Sequence, residues 1–394
     1  MIVRLEIEAL APLAFPERKP GAQFNRSLDY IPGAAIFGAL GQILGKNPAN
    51  LPLLRAIRCH NAYPAYQGDP WVRPLPATAI QPKGEDKRVY DSLYQRVCWE
   101  QQQPAALIYA PTSSDGRPWE AAGAKFYTLR DNAIAFRKVQ QRMQTRVGIN
   151  RRRGTAQDER LYTVLAIRET MLRESASQPS DHNYGPTKDN LVPTRFLGSL
   201  VIPDDARDTV LAALRQITHL GGRQTTGLGA VAIHAQSAAE TSENLRERIV
   251  AMTERFKQQV QLYQELGGKP CTIDGHIFTV NLLSDAILLE DGWIPTQEFS
   301  TAQLKAITGI DATLIRSFTT TKTVGGYHTQ WHRPKPTNIA VSMGSVYVFA
   351  TAKTLKAEEI EKLAALQHDG IGERCQEGYG QVRICDEFHL LNLV

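Results

Sequence analysis

Gly221-Gly222-Arg223-Gln224-Thr225-Thr226-Gly227-Leu228-Gly229 and Gly372-Glu373-Arg374-Cys375-Gln376-Glu377-Gly378-Tyr379-Gly380 share one spacing, with glycine first, arginine third and Gly-x-Gly at the seventh to ninth places. Such a turn brings backbone close to a bulky group while its N–H donors stay available, and an arginine inside it adds a phosphate donor. The chemistry on offer is recognition of a polyanion rather than bond breaking. A single copy reads equally as a sharp helix-to-strand turn; recurrence with the arginine kept moves the reading toward a ligand. Neither copy is a G-x-x-x-x-G-K-[ST] loop or a G-x-G-x-x-G after a strand, which excludes those nucleotide loops.

Two other stretches carry binding chemistry. Gln144 to Ala156 and Leu161 to Ile167 read as a hairpin whose tip holds Asn150, Arg151, Arg152 and Arg153, with Arg146 on its stem. From 130 to 160 there are nine Lys or Arg against three acids, so this stretch alone exceeds the whole chain's net charge of +5. A concentrated basic arm is the footprint of a phosphate-backbone binder, with a solvated charge run as the bland alternative. Further on, Thr320, Lys322, Gly325, Gly326, Tyr327, His328 and Trp331 interleave hydroxyls, cations and aromatics with no acid, a pattern suited to single-stranded RNA.

Catalysis is not expected. A metal-independent ribonuclease needs a general acid and base around a 2′-hydroxyl, and a lone histidine on a strand is more often a satisfied structural residue. His328 and His332 are four apart, but Gly325, Gly326 and Pro334 argue against the helix a zinc site would need there. No cofactor or metal is implied. Five cysteines without a C-x-x-C, and an opening that alternates as a strand rather than a leader, predict reduced thiols, a cytoplasmic location and no membrane span.

The elements that position these residues repeat as well. Strand-like Phe196 to Ile202 and a helical Asp204 to Leu220 precede the first loop; strand-like Gly344 to Ala350 and a helical Lys356 to His368 precede the second. Each loop then enters a short apolar strand. Val3, Leu5, Ile7 and Ala9 alternate with polar residues as a half-buried first strand, and Ile31 to Leu44 opens a helix behind Pro32. Strand, helix, glycine loop, strand, used twice, predicts an α+β chain of two ferredoxin-like βαββαβ domains, each with a glycine-rich loop before its last strand. The expected division is an N-terminal unit over 1–238, a connecting helix within 239–268 and a C-terminal unit over 269–394. The first unit carries an irregular insertion at about 46–142 and the basic hairpin at about 144–167. Ser242 to Leu266 reads as one long amphipathic helix and 175–190 as a flexible loop. Tyr63, Tyr66, Trp71, Tyr90, Tyr94 and Trp99, frequent in the insertion, read as local packing before base stacking.

Tyr30-Ile31-Pro32-Gly33 with its helix, the Ile149-Asn150-Arg151 to Leu161-Tyr162 hairpin, Phe196-Leu197-Gly198 and the two glycine loops together resemble the RAMP superfamily of CRISPR-associated proteins. The resemblance covers most of the chain outside about 65–140 and is strongest to the Cas-five-like (Csx-ten group) subunit of type III-D effector complexes. It implies a non-catalytic subunit that holds the 5′ handle of the guide RNA (crRNA). It also implies contacts with the large signalling subunit and the backbone RAMP subunits, and an indirect relation to target RNA. The alternative from the same superfamily is an endoribonuclease that processes CRISPR precursor RNA, for which the resemblance offers His60 and Tyr63 as the nearest, weak candidates. Backbone subunits that cut target RNA use an acidic residue in a loop after the first helix, a region where Asp69 lies here without supporting neighbours. Many relatives carry serine and a basic residue at the Pro-Gly helix start. Ala34, Ala35 and Phe37 stand there here, so only backbone N–H groups are left to meet a phosphate. No RNP1 signature of a general RRM binder is present.

Overall fold

The alternation in the opening strand is realised in Ile2–Ala9, where Val3, Leu5 and Ile7 are wholly buried and Arg4 is exposed. The computed structural model describes residues 1–16, 24–84, 88–104, 109, 113, 116–130, 133–150, 152–173, 190–238, 244–328 and 333–391. Among them the chain is mixed α+β, with small, mostly antiparallel sheets and seven α-helices.

Two of the sheets share one connectivity. In the first, Ile2–Ala9 lies between Val231–Ala238 and Arg195–Val201, and the latter pairs on its far side with Arg58–Cys59 and Tyr63–Ala65. Helices Gly33–Leu44 and Arg207–Arg215 follow the first and third strands and bury Ile36, Leu40, Val210 and Leu214 with Val3, Leu5 and Ile7. In the second, Ile277–Leu282 lies between Val346–Thr351 and Val382–Ile384, with Ala312–Phe318 outermost. Helices Thr301–Thr308 and Ala357–Asp369 occupy the matching places in the chain and bury Leu304, Leu363 and Leu366 in that unit's core. Strand order therefore runs fourth, first, third, second in both.

Three parts of the expected division take definite form. First, the stretch at 46–142 carries structure of its own. Arg58–Cys59 and Tyr63–Ala65 complete the first sheet, while the middle builds two three-stranded sheets and the helix Leu93–Gln102. Strands of two to five residues leave too little periodicity to read. Second, that helix places Leu93, Val97 and Cys98 in the core of the second unit, so the insertion leaves one unit and packs on the other. Third, the connecting helix Leu245–Glu265 also packs: Leu245, Ile249, Met252, Phe256, Val260 and Tyr263 are buried in that same core. The helix expected from Asp204 to Leu220 is shorter, a 3-10 turn at Asp204–Ala206 followed by Arg207–Arg215. The flexible-loop expectation at 175–190 falls, apart from Asn190, outside the described residues.

Ion pairs tie the insertion down. Asp69 is buried between Arg137, 2.6 Å from Nε, and Arg130, 2.8 Å from Nη2. Arg73 meets Asp386 and Glu387 near the C-terminus, and Tyr127 donates to Asp386. The insertion's aromatics pack, with Tyr63 tilted on Phe126 at 4.8 Å and Tyr94 on Phe256 at 4.7 Å. Asp69 is thus a structural anchor, which removes it from consideration as a cutting acid.

Candidate nucleic-acid interface

The two glycine loops have the same backbone. Arg223 and Arg374 sit at φ 61° and 60°, Gly227 and Gly378 at 83° and 90°. Leu220 N–H donates to Gly229 O and Ile371 N–H to Gly380 O, while Gly229 N–H reaches Pro12 O and Gly380 N–H reaches Asp285 O. In each, the arginine guanidinium lies over a tyrosine ring: Arg223 over Tyr162 at 4.5 Å, Arg374 over Tyr379 at 4.8 Å. Most of the glycines are demanded by the protein's own chain. A Cβ at Gly221, Gly229, Gly372 or Gly380 would fall within 2.6 Å of a backbone carbonyl oxygen.

The surroundings of the two loops differ. In the first, residues 224–227 are exposed and nothing lies within 4 Å of where a Gly227 Cβ would stand. In the second, Gly378 is buried: its Cβ would fall 2.6 Å from Cys59 O and 3.0 Å from Gly33 Cα. The second loop is therefore pressed against the start of the Gly33–Leu44 helix, whose Gly33 N–H already donates to Asn61 Oδ1 at 2.8 Å. Gly378 thus sits at a joint between the units, whereas Gly372 is exposed and Gly380 closes on Ile371 of its own loop, and the Pro-Gly helix start is covered there by protein.

Charge separates the loops in the same way. Arg374 and Lys335 both reach Glu377, at 2.5 and 2.6 Å, and Lys322 reaches Asp285 at 2.8 Å. Burial alone would raise the Glu377 pKa, but hydrogen bonds and charge from Arg374 and Lys335 prevail and hold it below the usual carboxylate range. The cations beside the second loop are thus neutralised internally. Around the first loop, Arg146 donates to Gln144 Oε1 and to Thr226 O, and neither it nor Arg223 pairs with a carboxylate among the described residues.

The basic hairpin stands beside this open loop. Gln141–Ile149 pairs with Ala156–Ile167, with a bulge between Val147 and Ile149, and Phe24–Arg26 adds a parallel third strand. Val164 and Ala166 pack with Ala14 and Leu228, so one face is anchored on the loop itself. At the tip Arg152 and Arg153 are exposed, and Asn150 Oδ1 accepts from their N–H groups at 3.0 and 3.3 Å. Asn150 shapes the turn; the arginines are what it presents. Arg151 lies outside the described residues. One feature escaped the sequence reading: Met143, Val147, Ile149 and Leu161 leave the ribbon's other face apolar and exposed, at 67, 46, 63 and 59%. Alternation in a strand marks a one-sided face but not which side the protein covers.

The third stretch is only partly assembled. Thr320 is exposed; Tyr327 and His328 pair with Arg333–Pro334; Gly325 and Gly326 form the bend before that pair. Trp331 and His332 lie outside the described residues. Gly222 N–H bonds Ala14 O, which seats the first loop on the segment after the opening strand.

His60 and Tyr63 both border one cleft beside the first sheet. His60 is 7% exposed, its Nδ1 is 2.8 Å from Ser199 Oγ, and burial, with His368 and Arg58 adding to it, lowers its pKa to about 4. Tyr63 is buried, donates to Leu283 O and has its pKa raised by that burial. Among the described residues no group of three or more His, Cys, Asp or Glu could hold a metal ion, and no helix is long and apolar enough to cross a membrane.

A family model described as CRISPR-associated protein (Cas_Cmr3) matches residues 127–386. No curated protein matches the sequence. Among solved structures, a chain of the type III-B Cmr-beta complex bound to cognate target RNA and AMPPnP is similar at 12% identity and TM-score 0.43, over 88% of this chain and 86% of that one. A chain of the Csm3–Csm4 subcomplex of the type III-A interference complex is similar at 12% identity and TM-score 0.35, over 88% and 91%.

Proposed function

The chain belongs to the CRISPR-associated Cas_Cmr3 family, and from that premise we propose that it is a non-catalytic guide-RNA-binding subunit of a type III effector complex. The observation that carries the RNA reading is the unequal fate of two loops with one backbone. The second is closed off at Gly378 and its arginine neutralised; residues 224–227 of the first are exposed, with Arg146 and Arg223 lacking acidic partners among the described residues and Arg152 and Arg153 on the adjoining hairpin. A cationic patch next to exposed backbone and an apolar ribbon face suits a strand whose phosphates meet arginine while its bases meet Met143, Val147, Ile149 and Leu161.

The finer assignments belong to the same proposal. The two βαββαβ units are ferredoxin-like domains, divided as 1–238 and 269–394. Helix Leu245–Glu265 and the insertion's helix Leu93–Gln102 serve the second core. The RNA segment is the 5′ handle of the guide, the protein partners are the large signalling subunit and backbone RAMP subunits, and target RNA is met through them in the cytoplasm. The type III-D likeness is kept as the subgroup reading.

The rival reading is a guide-processing endoribonuclease. It is disfavoured because His60 is buried and neutral at physiological pH and Tyr63 is committed to a carbonyl. Incubation with repeat RNA in EDTA separates the two. Binding without cleavage is expected, and site-specific cleavage abolished by His60→Ala would refute the proposal. Affinity capture with RNA sequencing should recover a short guide-derived species with a fixed 5′ end.

A further inference from the structure

Between the first sheet, the segment at 70–73 and the end of the second unit lies a cavity of about 310 Å³, within the volumes that hold small ligands. Arg4, His60, Arg73 and Arg383 line it, together with Trp71, and no Asp or Glu is among the lining residues. Several polar atoms there have no protein partner. Arg73 spends only Nη1 on Asp386 and Glu387, leaving Nε and Nη2 without a hydrogen bond among the described residues. Arg4 uses Nη2 on the Asp69 carbonyl and meets no carboxylate among the described residues. His60 engages Ser199 through Nδ1, which leaves Nε2 unbonded in a side chain that is 7% exposed. Gln381 Oε1, also at the cavity, is buried and accepts nothing. Behind the wall, Arg73, Arg383 and Arg248 face only Asp386 and Glu387, so the cluster keeps a positive excess to which Arg4 adds.

Donors that face a space lined by no carboxylate among the described residues suit an acceptor-rich group. We propose that this cleft binds a phosphate monoester of mononucleotide size. Arg4 and Arg73 hold the phosphate, His60 Nε2 adds a contact, and Gln381 Oε1 accepts from a hydroxyl or amine of the same molecule. The phosphate comes either from a free nucleotide or from the 5′-phosphorylated end of an RNA, and the site is separate from the loop and hairpin described above.

Calorimetric titration of the full chain with AMP, inorganic phosphate and adenosine tests this. AMP is expected to bind one to one and adenosine not at all. Arg4→Gln, at an exposed position, should weaken AMP about tenfold, the loss of one charge-assisted contact, with the unfolding midpoint as the control for folding. His60→Gln should weaken it as well, with an unchanged unfolding midpoint at neutral pH. Arg152→Ala with Arg153→Ala should leave AMP binding intact. Displacement of AMP by a 5′-phosphorylated oligonucleotide but not by its 5′-hydroxyl form assigns the site to an RNA end, and displacement by neither assigns it to a free nucleotide. The proposal is overturned if AMP fails to bind at millimolar concentration, if adenosine binds as well as AMP, or if the hairpin variant abolishes binding that Arg4→Gln leaves alone.

Discussion

Gly227 and Gly378 occupy one place in two loops of the same backbone, at φ 83° and 90°, and alanine there tests what each loop is for. The left-handed conformation costs an L-residue about 1–2 kcal/mol, and that cost is shared. The space is not shared. A Cβ at 227 has nothing within 4 Å, whereas at 378 it meets Cys59 O at 2.6 Å and Gly33 Cα at 3.0 Å. Both obstacles are backbone atoms that no rotamer change can move aside, and overpacking of this kind adds about 1–3 kcal/mol. Gly378→Ala should therefore be less stable than Gly227→Ala by about 1–3 kcal/mol, read from urea unfolding as a lower midpoint at similar slope. Gel-shift binding supplies the second readout. Gly227→Ala is expected to weaken RNA binding in a protein that remains folded, and Gly378→Ala to lose binding only as far as it unfolds. Equal stability losses for the two variants would refute the assignment of the second loop to the joint between units.

Asp69→Asn leaves Arg137 and Arg130 without their buried partner and should cost about 3–5 kcal/mol, measured by denaturant titration. Burial alone would raise the Asp69 pKa, but Arg137, the Tyr66 N–H and Arg130 prevail and hold it below the usual range. Its stabilisation is thus complete above the unfolded value of about 3.9 and is lost as pH falls through the lower folded value. For His60 the folded pKa of about 4 lies under the ordinary 6.5, so the unfolded chain takes up the proton first. Stability should decline as pH drops between those values, and His60→Gln should flatten that part of a melting-temperature profile. Replacing Arg152 and Arg153 by alanine should weaken RNA binding and reduce the slope of log K against log salt by about 1.4, two contacts at roughly 0.7 each; an unchanged slope would take the hairpin out of the interface.

Much of the architecture was legible because its signals are local. The period-two alternation in Ile2–Ala9, the helical stripe of Leu245, Ile249, Met252, Phe256, Val260 and Tyr263, and the recurrence of Gly-x-Arg with Gly-x-Gly each sit in one short window. Such windows report backbone conformation and one-sidedness, and the loops do share both sequence spacing and φ angles. The insertion was illegible for the converse reason. Its strands run from two to five residues, and what holds them, Asp69 to Arg137 or Arg73 to Asp386, joins residues 68 and 313 positions apart.

By itself, then, the amino-acid order determined that a strand–helix–loop–strand module occurs twice, that its loops need glycine, and that basic charge gathers before residue 160. Only the tertiary structure decided which loop stays open. Gly378 and Gly227 are equivalent by every local measure, and the difference between them lies in Gly33 and Cys59, more than 300 positions from Gly378, whose backbone closes over one copy and not the other. Packing between distant segments is what converts one motif into a joint and leaves its twin as a surface, because contact excludes both solvent and ligand while sequence spacing excludes neither.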